Sequence, residues 1–300
     1  MKLFQDRNSF IGASFAIIAT IIWAGNSVAG RGLAHAIPPM TFVAGRMIVA
    51  LIVVLPIAWK PLRNEWGIIR KHLPFYALCG LTGMFGINVL IYIAGRYVPA
   101  LNLSIGSITT PLFVIIISRF VYGERISWLR LLGLAIVLSG VLTLLCGGDL
   151  AVLLSLSFSI GDLLMLVGAF CFAVYSLLVR KAPAGVSSSS FLALFFLFTL
   201  LFSLTGSAVE FGILGMEIHP SPVLLGGVLY LGLGASLIAY ALWNQAIARI
   251  GASQTSLFYY LLPLFSGLEA SALLGEPVLP VHLVSGGLIL GGLILANKKS

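Results

Sequence analysis

The sequence has very little charge. Asp, Glu, Lys and Arg make up 9% of its 300 residues, whereas 60% of the residues are hydrophobic. A soluble domain of this composition would have too little polar surface to stay in solution. The scarcity of charge therefore excludes a soluble globular protein and predicts an integral membrane protein.

Cysteine and histidine are also scarce, and their spacing does not indicate a site. Cys79, Cys146 and Cys171 show no CxxC or Cys/His spacing, so disulfide, metal and redox sites lack support. No nucleotide-binding motif is present, and we expect no cofactor and no metal. An intramembrane enzyme would need clustered acids, histidines or a nucleophile at membrane depth, but the histidines fall at the edges of apolar runs: His35, His72, His219 and His282.

Long apolar runs are abundant. A membrane-spanning helix needs about 20 apolar residues, and ten such runs lie near 11–30, 40–58, 73–95, 100–121, 127–147, 160–180, 189–209, 222–247, 252–274 and 279–297. They do not alternate as the strands of a β-barrel would. We therefore expect an all-α polytopic membrane protein with ten transmembrane helices.

The net charge of +8 is explained by the placement of the basic residues. With the N-terminus inside, fourteen of the seventeen Lys and Arg residues fall in predicted cytoplasmic segments, and only Arg31 and Arg96 fall in outer loops. This positive-inside bias predicts that both termini are cytoplasmic. Basic charge here sets the orientation and does not indicate a nucleic-acid surface.

The two halves of the sequence are similar to each other. "PLFVIIISRFVYGE" at 111–124 and "PLFSGLEASALLGE" at 263–276 share their first three and last two residues at an offset of 152. Near the start of each half the offset is 149, which relates Arg31 to Arg180. A unit of five helices is odd, so consecutive copies enter the membrane from opposite sides. We expect two inverted five-helix repeats, 1–150 and 151–300, an arrangement typical of secondary transporters.

The doubled arrangement, with a proline and a terminal Gly-Glu in the fourth helix of each half, resembles the EamA-type branch of the drug/metabolite transporter superfamily. The stretch "TFVAGRMIVALI" around Arg46 is similar to the family's pattern in the second helix, although the seventh predicted span has no equivalent arginine. The resemblance implies a multi-pass protein of the bacterial inner membrane that is not an enzyme. Its partners would be a small-molecule substrate and the lipid bilayer, with no nucleic acid, and the protein would be monomeric.

Within that family the sequence is most similar to bacterial exporters of aromatic and other apolar amino acids. The resemblance thus implies export of such amino acids, and of related metabolites, by alternating access at a site near the membrane midplane. Carriers of sugar phosphates and nucleotide sugars are relatives, but their anionic substrates would need several inward-facing cations, and only Arg46 lies well inside a span. A passive channel is a further alternative, since flux measurements rather than sequence distinguish it from a carrier.

Two prolines lie about twelve residues into their predicted spans, Pro111 and Pro263. Each lacks an amide donor and so would free the carbonyl four residues earlier, at Ser107 and Tyr259. We expect both to kink their helices near the bilayer centre, either for packing alone or with the freed carbonyl contacting substrate.

Two ionisable residues, Arg46 and Glu269, lie inside predicted spans at similar depth. An ionisable group inside a membrane is expected to have a partner and a function. The sequence predicts a structural ion pair between them. The alternative is that Glu269 carries a coupling proton, which a salt bridge would hinder by keeping the carboxylate ionised.

Polar and aromatic residues exchange places between the halves. Asn88 and Tyr92 correspond to Tyr240 and Asn244, and at i, i+4 spacing each pair shares one helix face. Amides and phenols cost free energy in hydrocarbon unless they are hydrogen-bonded, so both faces should point to the interior.

The predicted substrate site contains these residues and others at similar depth. Its members are Trp23, Asn26, Asn88, Tyr92, Tyr175, Tyr240, Trp243, Asn244 and Tyr259. A site of amides and aromatic rings without fixed charge suits a substrate with a bulky apolar part and a compact polar or zwitterionic end. The alternative is that these side chains only join helices by hydrogen bonds, at about 0.6 kcal/mol each.

Overall fold

The computed structural model describes residues 7–33, 36–94, 97, 108–124, 126–154, 159–274 and 280–297, without the side chains of 27–32, 150, 153, 270, 273 and 274. All regular secondary structure in these ranges is helical. The first half of the chain forms α1 Arg7–Leu33, α2 Pro39–Ile69, α3 Leu73–Gly80, α4 Ile87–Ala94, α5 Thr110–Tyr122, α6 Trp128–Leu145 and the start of α7 Leu150–Leu154.

The second half forms α8 Ile160–Val179, α9 Ser188–Gly212, α10 Pro222–Tyr230, α11 Ala239–Ile250, α12 Ala252–Leu257, α13 Leu262–Leu274 and α14 Pro280–Ala296. Two π-helical segments interrupt this pattern: π1, Leu81–Gly86, joins α3 to α4, and π2, Leu231–Ile238, joins α10 to α11. Short 3₁₀ turns separate α2 from α3 at Arg70–His72 and α12 from α13 at Phe258–Leu261.

Six helical stretches of the described residues are long and apolar enough to cross a membrane: Arg7–Asn26, Pro39–Ala94, Trp128–Leu145, Ile160–Val179, Ser188–Gly212 and Pro222–Ile250. Two shorter apolar helices are Thr110–Tyr122 and Pro280–Ala296. The helical class and the presence of multiple apolar helices are thus confirmed. The count of ten spans and their inverted arrangement stay predictions.

The helix α2 is longer than the sequence predicted. Its apolar run ends near residue 58, but the helix continues to Ile69 and carries Pro56 and Pro61 inside it. The end of an apolar run indicates where a helix leaves the hydrocarbon core of the membrane, and the backbone can stay helical beyond that point. The extension carries Lys60 and Arg63, two of the basic residues that predict the orientation.

Helices from the two halves pack against each other in several pairs. The helix α2 packs against α9, α6 against α14, α1 against α11 and α4 against α8. Glycine permits the closest of these approaches, because a Cβ at Gly133 would lie 2.4 Å from the backbone nitrogen of Ala296. By contrast, a Cβ built at Gly287 or Gly291 would have no atom of another described helix within 4 Å, so among the described helices neither glycine is needed for a close approach.

A buried carboxylate holds the N-terminus of α2. Glu210 of α9 accepts hydrogen bonds from the backbone amides of Met40 and Thr41 at 2.7 and 2.8 Å. The first amides of a helix have no partner within the helix and its N-terminus carries partial positive charge, so this contact stabilises α2 against α9. It positions the helix that carries Arg46.

Candidate functional site

Arg46 lies at the centre of a buried polar network. Its side chain is on α2, and the residue is 1% exposed. Its Nη1 donates to Asn88 Oδ1 and to the Tyr92 hydroxyl, each at 3.0 Å, and its Nε donates to Ser236 Oγ at 3.2 Å. Asn88 and Tyr92 are one turn apart on α4, whereas Ser236 belongs to π2 in the second half. The network therefore joins the two halves of the chain.

The partners of Arg46 are themselves held in place. Asn88 Nδ2 donates to the carbonyl oxygen of Met84 at 2.9 Å, which turns the amide oxygen of Asn88 toward the guanidinium. The Ser236 hydroxyl donates to the carbonyl oxygen of Leu231 at 2.8 Å, so it accepts from Arg46. The Tyr92 ring packs against Phe42, with centroids 5.3 Å apart. Each acceptor is therefore oriented by contacts within the protein.

The two π-helical segments each present a carbonyl group to the other half. The Tyr240 hydroxyl donates to the carbonyl oxygen of Gly83 in π1, and Trp23 Nε1 donates to that of Ala235 in π2 at 2.9 Å. Gly83 and Ala235 are separated by 152 residues, the offset seen in the sequence. A π-helical turn disturbs the regular i→i−4 ladder, and such turns are frequent at functional sites. Here the disturbed backbone meets side chains across the interface between the halves.

Aromatic rings from α1, α8, α11 and the 3₁₀ turn Phe258–Leu261 form a cluster beside this network. Trp23 lies 5.0 Å from Trp243, 5.2 Å from Tyr240 and 5.5 Å from Phe172, measured between ring centroids. Phe172 lies 5.6 Å from Tyr259. Edge-to-face and tilted pairs at these distances contribute about 0.5–1.5 kcal/mol each beyond burial. We call these five residues the aromatic cluster.

Tyr175 extends the cluster toward α9. Its hydroxyl donates to Asn244 Oδ1 at 2.8 Å, and its ring stacks on Phe195 with centroids 4.9 Å apart. The ring also lies over Gly83, where a Cβ would come within 2.2 Å of the Tyr175 ring. The lack of a side chain at Gly83 therefore allows π1 and α8 to approach closely.

Three polar atoms of the predicted site are buried and have no hydrogen-bond partner among the described residues. They are Asn26 Oδ1, Trp243 Nε1 and Asn244 Nδ2. Unpaired buried polar groups cost free energy, so they are candidates for contacts to a ligand. The structure does not join Asn26 to the aromatic cluster by a hydrogen bond, whereas Asn244 joins it through Tyr175.

The predicted ion pair between Arg46 and Glu269 is not formed in this structure. Arg46 donates instead to Asn88, Tyr92 and Ser236. Glu269 lies near Gly25 and Tyr230: a Cβ built at Gly25 would be 3.1 Å from its Oε2 and 2.4 Å from the Tyr230 hydroxyl. Similar depth does not determine the direction in which a helix presents a side chain, and these two face different neighbours. The argument against Glu269 as a proton carrier, which rested on the ion pair, no longer applies.

The two prolines differ from the predicted kinks. Pro111 lies in the first turn of α5, where its missing amide donor is not needed, rather than in the middle of a described helix. Pro263 follows the 3₁₀ turn Phe258–Leu261 and lies in the first turn of α13. The carbonyl oxygen of Tyr259 accepts a hydrogen bond from the backbone amide of Leu262, so it is not left free as predicted. Ser107 lies outside the described residues.

A second cluster of charge lies at the ends of α5 and α8. Glu124 forms an ion pair with Arg180 and accepts a hydrogen bond from Ser253 Oγ. The Arg180 guanidinium also lies over the Tyr122 ring, 4.2 Å from its centroid. Arg130 Nη2 donates to the carbonyl oxygen of Ser253 at 2.8 Å. We call this group the Glu124 cluster. Glu276, the sequence counterpart of Glu124, lies outside the described residues.

Sequence reasoning missed Ser236 and the two π-helical segments. The signal for the segments is weak, since "LTGMFG" and "LGLGASLI" are glycine-containing apolar runs like many others in this sequence. Ser236 is a small polar residue within such a run, and only its contact with Arg46 identifies it. The sequence also assigned Arg46 to an ion pair, whereas the structure places it with Asn88 and Tyr92 of the predicted site.

Known proteins resemble the chain over most of its length. The EamA-like transporter family matches residues 10–146 and 159–298. A protein of Streptantibioticus cattleyicolor named "Probable terminal-alkyne amino-acid exporter" is 29% identical over 234 residues, which cover 77% of this chain and 75% of that protein. A protein of Escherichia coli named "Probable amino-acid metabolite efflux pump" is 26% identical over 299 residues, which cover 93% and 92%.

A solved crystal structure shares the fold. Its TM-score is 0.77 at 22% sequence identity, and the alignment covers 95% of this chain and 96% of that one. The family match, the multiple apolar helices and the relatives named as exporters and efflux pumps all agree with a multi-pass membrane transporter. The chain belongs to the EamA-like transporter family.

Proposed function

We propose that this protein is a secondary transporter that exports amino acids with aromatic or large apolar side chains. The observation that carries the proposal is the aromatic cluster, which is built from both halves and lies beside a buried polar network. Aromatic rings favour apolar side chains, and the neighbouring amides and hydroxyls suit a compact polar end. The names of the two relatives, one an amino-acid exporter and one an efflux pump, support the same substrate class.

The transport cycle that we propose is alternating access between two inverted five-helix repeats, residues 1–150 and 151–300. Equivalent helices pack together across the chain, since α2 contacts α9 and α6 contacts α14. The two ranges that match the family each cover most of one half. The two π-helical segments lie at equivalent positions, with Gly83 and Ala235 each accepting from the opposite half. These pairings support two related units that move against each other around one central site.

Substrate entry requires the aromatic rings to separate. Trp243 is 0% exposed, and Tyr240 and Trp23 are 3% and 6% exposed, because they pack on one another. A bound amino acid would replace these ring contacts, and Asn244 Nδ2 and Trp243 Nε1 would gain a partner in the ligand. A pocket of this kind ranks substrates by the apolar bulk of their side chains.

Carriage of sugar phosphates or nucleotide sugars is less well supported. Phosphate groups are bound by several cations, commonly by arginine and lysine together. In the described part of the central network Arg46 is the one cation, and the aromatic cluster contains neutral side chains alone.

The orientation that we propose is that of an inner-membrane protein with both termini in the cytoplasm, acting as a monomer with lipid and a small molecule as its partners. Cysteine labelling tests it. In a functional background without the native cysteines, a cysteine at Glu217 should react with an impermeant reagent from outside, and one at Arg63 only from the cytoplasmic side. The reverse pattern, or reaction of both from one side, would contradict the inverted repeats.

Transport by purified protein in proteoliposomes tests the function. We expect saturable, exchangeable uptake of labelled phenylalanine and leucine, with little uptake of glutamate or glucose 6-phosphate. Empty liposomes are the blank, and Asn244→Ala should raise the apparent KM because a contact worth about 1–3 kcal/mol is lost. A preference for acidic or phosphorylated substrates would overturn the substrate class, and flux that does not saturate would indicate a channel instead.

A further inference from the structure

We propose that Arg46 binds the carboxylate of the transported amino acid, a role that rests on the proposed function and specifies its substrate chemistry. An arginine stays protonated in proteins, and Arg46 is 1% exposed. Its hydrogen-bond partners, Asn88, Tyr92 and Ser236, are all neutral.

A buried cation without a counter-ion is costly, and membrane proteins retain such groups where they act on a substrate or an ion. Among the described residues, the ion pair within 4 Å is that of Arg180 with Glu124, and Glu269 does not reach Arg46. Within the part of the chain that the structure describes, the groups bonded to Arg46 are neutral oxygens, which accept hydrogen bonds but supply no negative charge. A substrate carboxylate supplies the missing negative charge.

The geometry shows which edge of the guanidinium is available. Asn88 and Tyr92 hold Nη1 and belong to the same half as Arg46. Nε is held by Ser236 of π2, at the longest of the three distances, 3.2 Å, and this contact crosses between the halves. When the two halves separate, Ser236 moves away from Arg46. The edge of the guanidinium formed by Nε and Nη2 then faces the space between the halves. A carboxylate fits that planar edge with two parallel hydrogen bonds.

Separation of Ser236 from Arg46 leaves no polar group of the second half without a hydrogen bond. The Ser236 hydroxyl already donates to the carbonyl oxygen of Leu231 and loses only a donor from Arg46. The exchange of a neutral hydroxyl for a carboxylate replaces an ordinary hydrogen bond with charge-assisted ones, which are stronger. Binding of the substrate therefore favours the separated arrangement of π2 and α2.

The position of Arg46 matches the two ends of an amino acid. The hydroxyl of Tyr240, a member of the aromatic cluster, donates to the carbonyl oxygen of Gly83, and Asn88, which accepts from Arg46, donates to that of the next residue, Met84. The Tyr240 ring contacts Trp23 and Phe172. The cation and the aromatic rings are therefore neighbours. A carboxylate on Arg46 places the side chain of the amino acid among the rings.

Competition between matched ligands tests the assignment. The assay is uptake of labelled phenylalanine by full-length protein in proteoliposomes, with unlabelled phenylalanine or phenylalaninamide as competitor, since these differ in the carboxylate alone. We expect phenylalanine to compete at least about tenfold more strongly, the ratio for roughly one charge-assisted contact. Inorganic phosphate should not compete. Equal competition by the amide, with phenylalanine still transported, would overturn the role of Arg46 and leave the proposed function intact.

Substitution of Arg46 tests whether this residue causes the preference for phenylalanine over phenylalaninamide. In Arg46→Gln the ratio should fall toward one, whereas Arg46→Lys, which keeps the charge, should retain part of it. Arg180→Gln is the matched control, since it removes an arginine of the Glu124 cluster and should keep the wild-type ratio. Dissociation constants from tryptophan fluorescence of the purified variants give the same ratio where transport is too slow to measure.

Each remaining outcome is decisive. A wild-type ratio in Arg46→Gln would assign the carboxylate to another residue and overturn the inference. If Arg46→Gln does not fold, Arg46→Lys is the variant to measure. Partial or complete loss of its preference for phenylalanine over the amide would support binding of the carboxylate by the Arg46 guanidinium. Unchanged affinity for both ligands would contradict that role. Inhibition by inorganic phosphate would show a general anion site and would also contradict that role. Failure of the wild type to transport any amino acid would instead contradict the proposed function.

Discussion

Arg46 and Arg180 are both contacts between the halves of this chain, but their surroundings differ. The Arg180 side chain is 39% exposed and pairs with Glu124, whose side chain is 27% exposed. Arg46 is 1% exposed and contacts neutral groups. An exposed charge beside a carboxylate is compensated by its partner and by water, so it contributes little free energy and needs no ligand. A buried charge among neutral groups is stabilised by its hydrogen bonds to them, and it attracts an anion.

The Glu124 cluster and the Arg46 network therefore differ in how easily their contacts can be broken. The Glu124 cluster joins the end of α5 to α8 and α12 through contacts that water can replace. The Arg46 network joins α2 and α4 to π2 through contacts that water cannot easily replace. Breaking the contacts of the Glu124 cluster costs little free energy, whereas breaking those of the Arg46 network requires a ligand that replaces them.

Removal of each arginine should affect stability very differently. We expect Arg46→Ala to lower the free energy of unfolding by about 3 kcal/mol or more, because the buried acceptors on Asn88 and Tyr92 lose their donor at about 1–3 kcal/mol each. Arg180→Ala should cost under about 1 kcal/mol, since its pair is partly exposed. Thermal unfolding of the purified proteins in detergent measures both. Similar losses in the two variants would show that burial does not distinguish the sites.

Removal of the Tyr240 hydroxyl should lower the free energy of unfolding more than removal of an equally buried hydroxyl that makes no hydrogen bond to the described residues. Tyr240→Phe leaves the carbonyl oxygen of Gly83 without its donor, and we expect a loss of about 1–3 kcal/mol. Tyr76→Phe is the matched control, because the Tyr76 hydroxyl is buried and has no hydrogen-bond partner in the described part of the chain. Its removal should be neutral or slightly stabilising. Thermal unfolding checks both variants, and a cost for Tyr76→Phe equal to that for Tyr240→Phe would argue against a role for the π1 carbonyl.

The pairing of Glu124 with Arg180 should have a small coupling energy. A double-mutant cycle with Glu124→Gln and Arg180→Gln should give about 0.2–1 kcal/mol, decreasing as salt is added, because both side chains are partly exposed. Unfolding at low and high ionic strength measures this value. A coupling of several kcal/mol that is insensitive to salt would indicate a buried pair instead.

Arg46 and Glu269 should show no coupling. A cycle with Arg46→Gln and Glu269→Gln should be additive within about 0.5 kcal/mol, since the two side chains share no contact. Exchange of the two residues should accordingly fail to restore the folded yield. Transport by Glu269→Gln, with and without a pH gradient, examines the remaining role of this carboxyl: loss of a gradient response seen in the wild type would assign the coupling proton to Glu269.

Parts of the site could be predicted from the sequence because helical periodicity is strong. The i, i+4 spacing of Asn88 and Tyr92 placed them on one face, and both do bind one group, the guanidinium of Arg46. The exchange of residues between the halves identified Tyr240, and similar depth added Trp23; both side chains donate to carbonyl groups of the opposite half. Spacing along a helix determines which residues share a face, whatever that face contacts.

The failures have a common cause. Arg46 and Glu269 were paired because of similar depth, but each residue turns a helix by about 100°, so depth along the axis does not determine the facing neighbour. Pro111 was placed in the middle of a span, whereas in the described structure it lies in the first turn of α5. Ser236 could not be identified, since a lone serine in an apolar run has many equivalent readings.

Composition and periodicity alone thus determined that the chain is an apolar, helical membrane protein with two similar halves, because the scarcity of charge and the offset of 152 residues are properties of the sequence itself. Only the tertiary structure decided what each buried polar group contacts. Hydrogen bonds depend on the positions of single atoms, and the rotation of packed helices sets those positions. The placement of Arg46 among neutral partners, and of the π-helical carbonyls beside Tyr240 and Trp23, follows from that rotation.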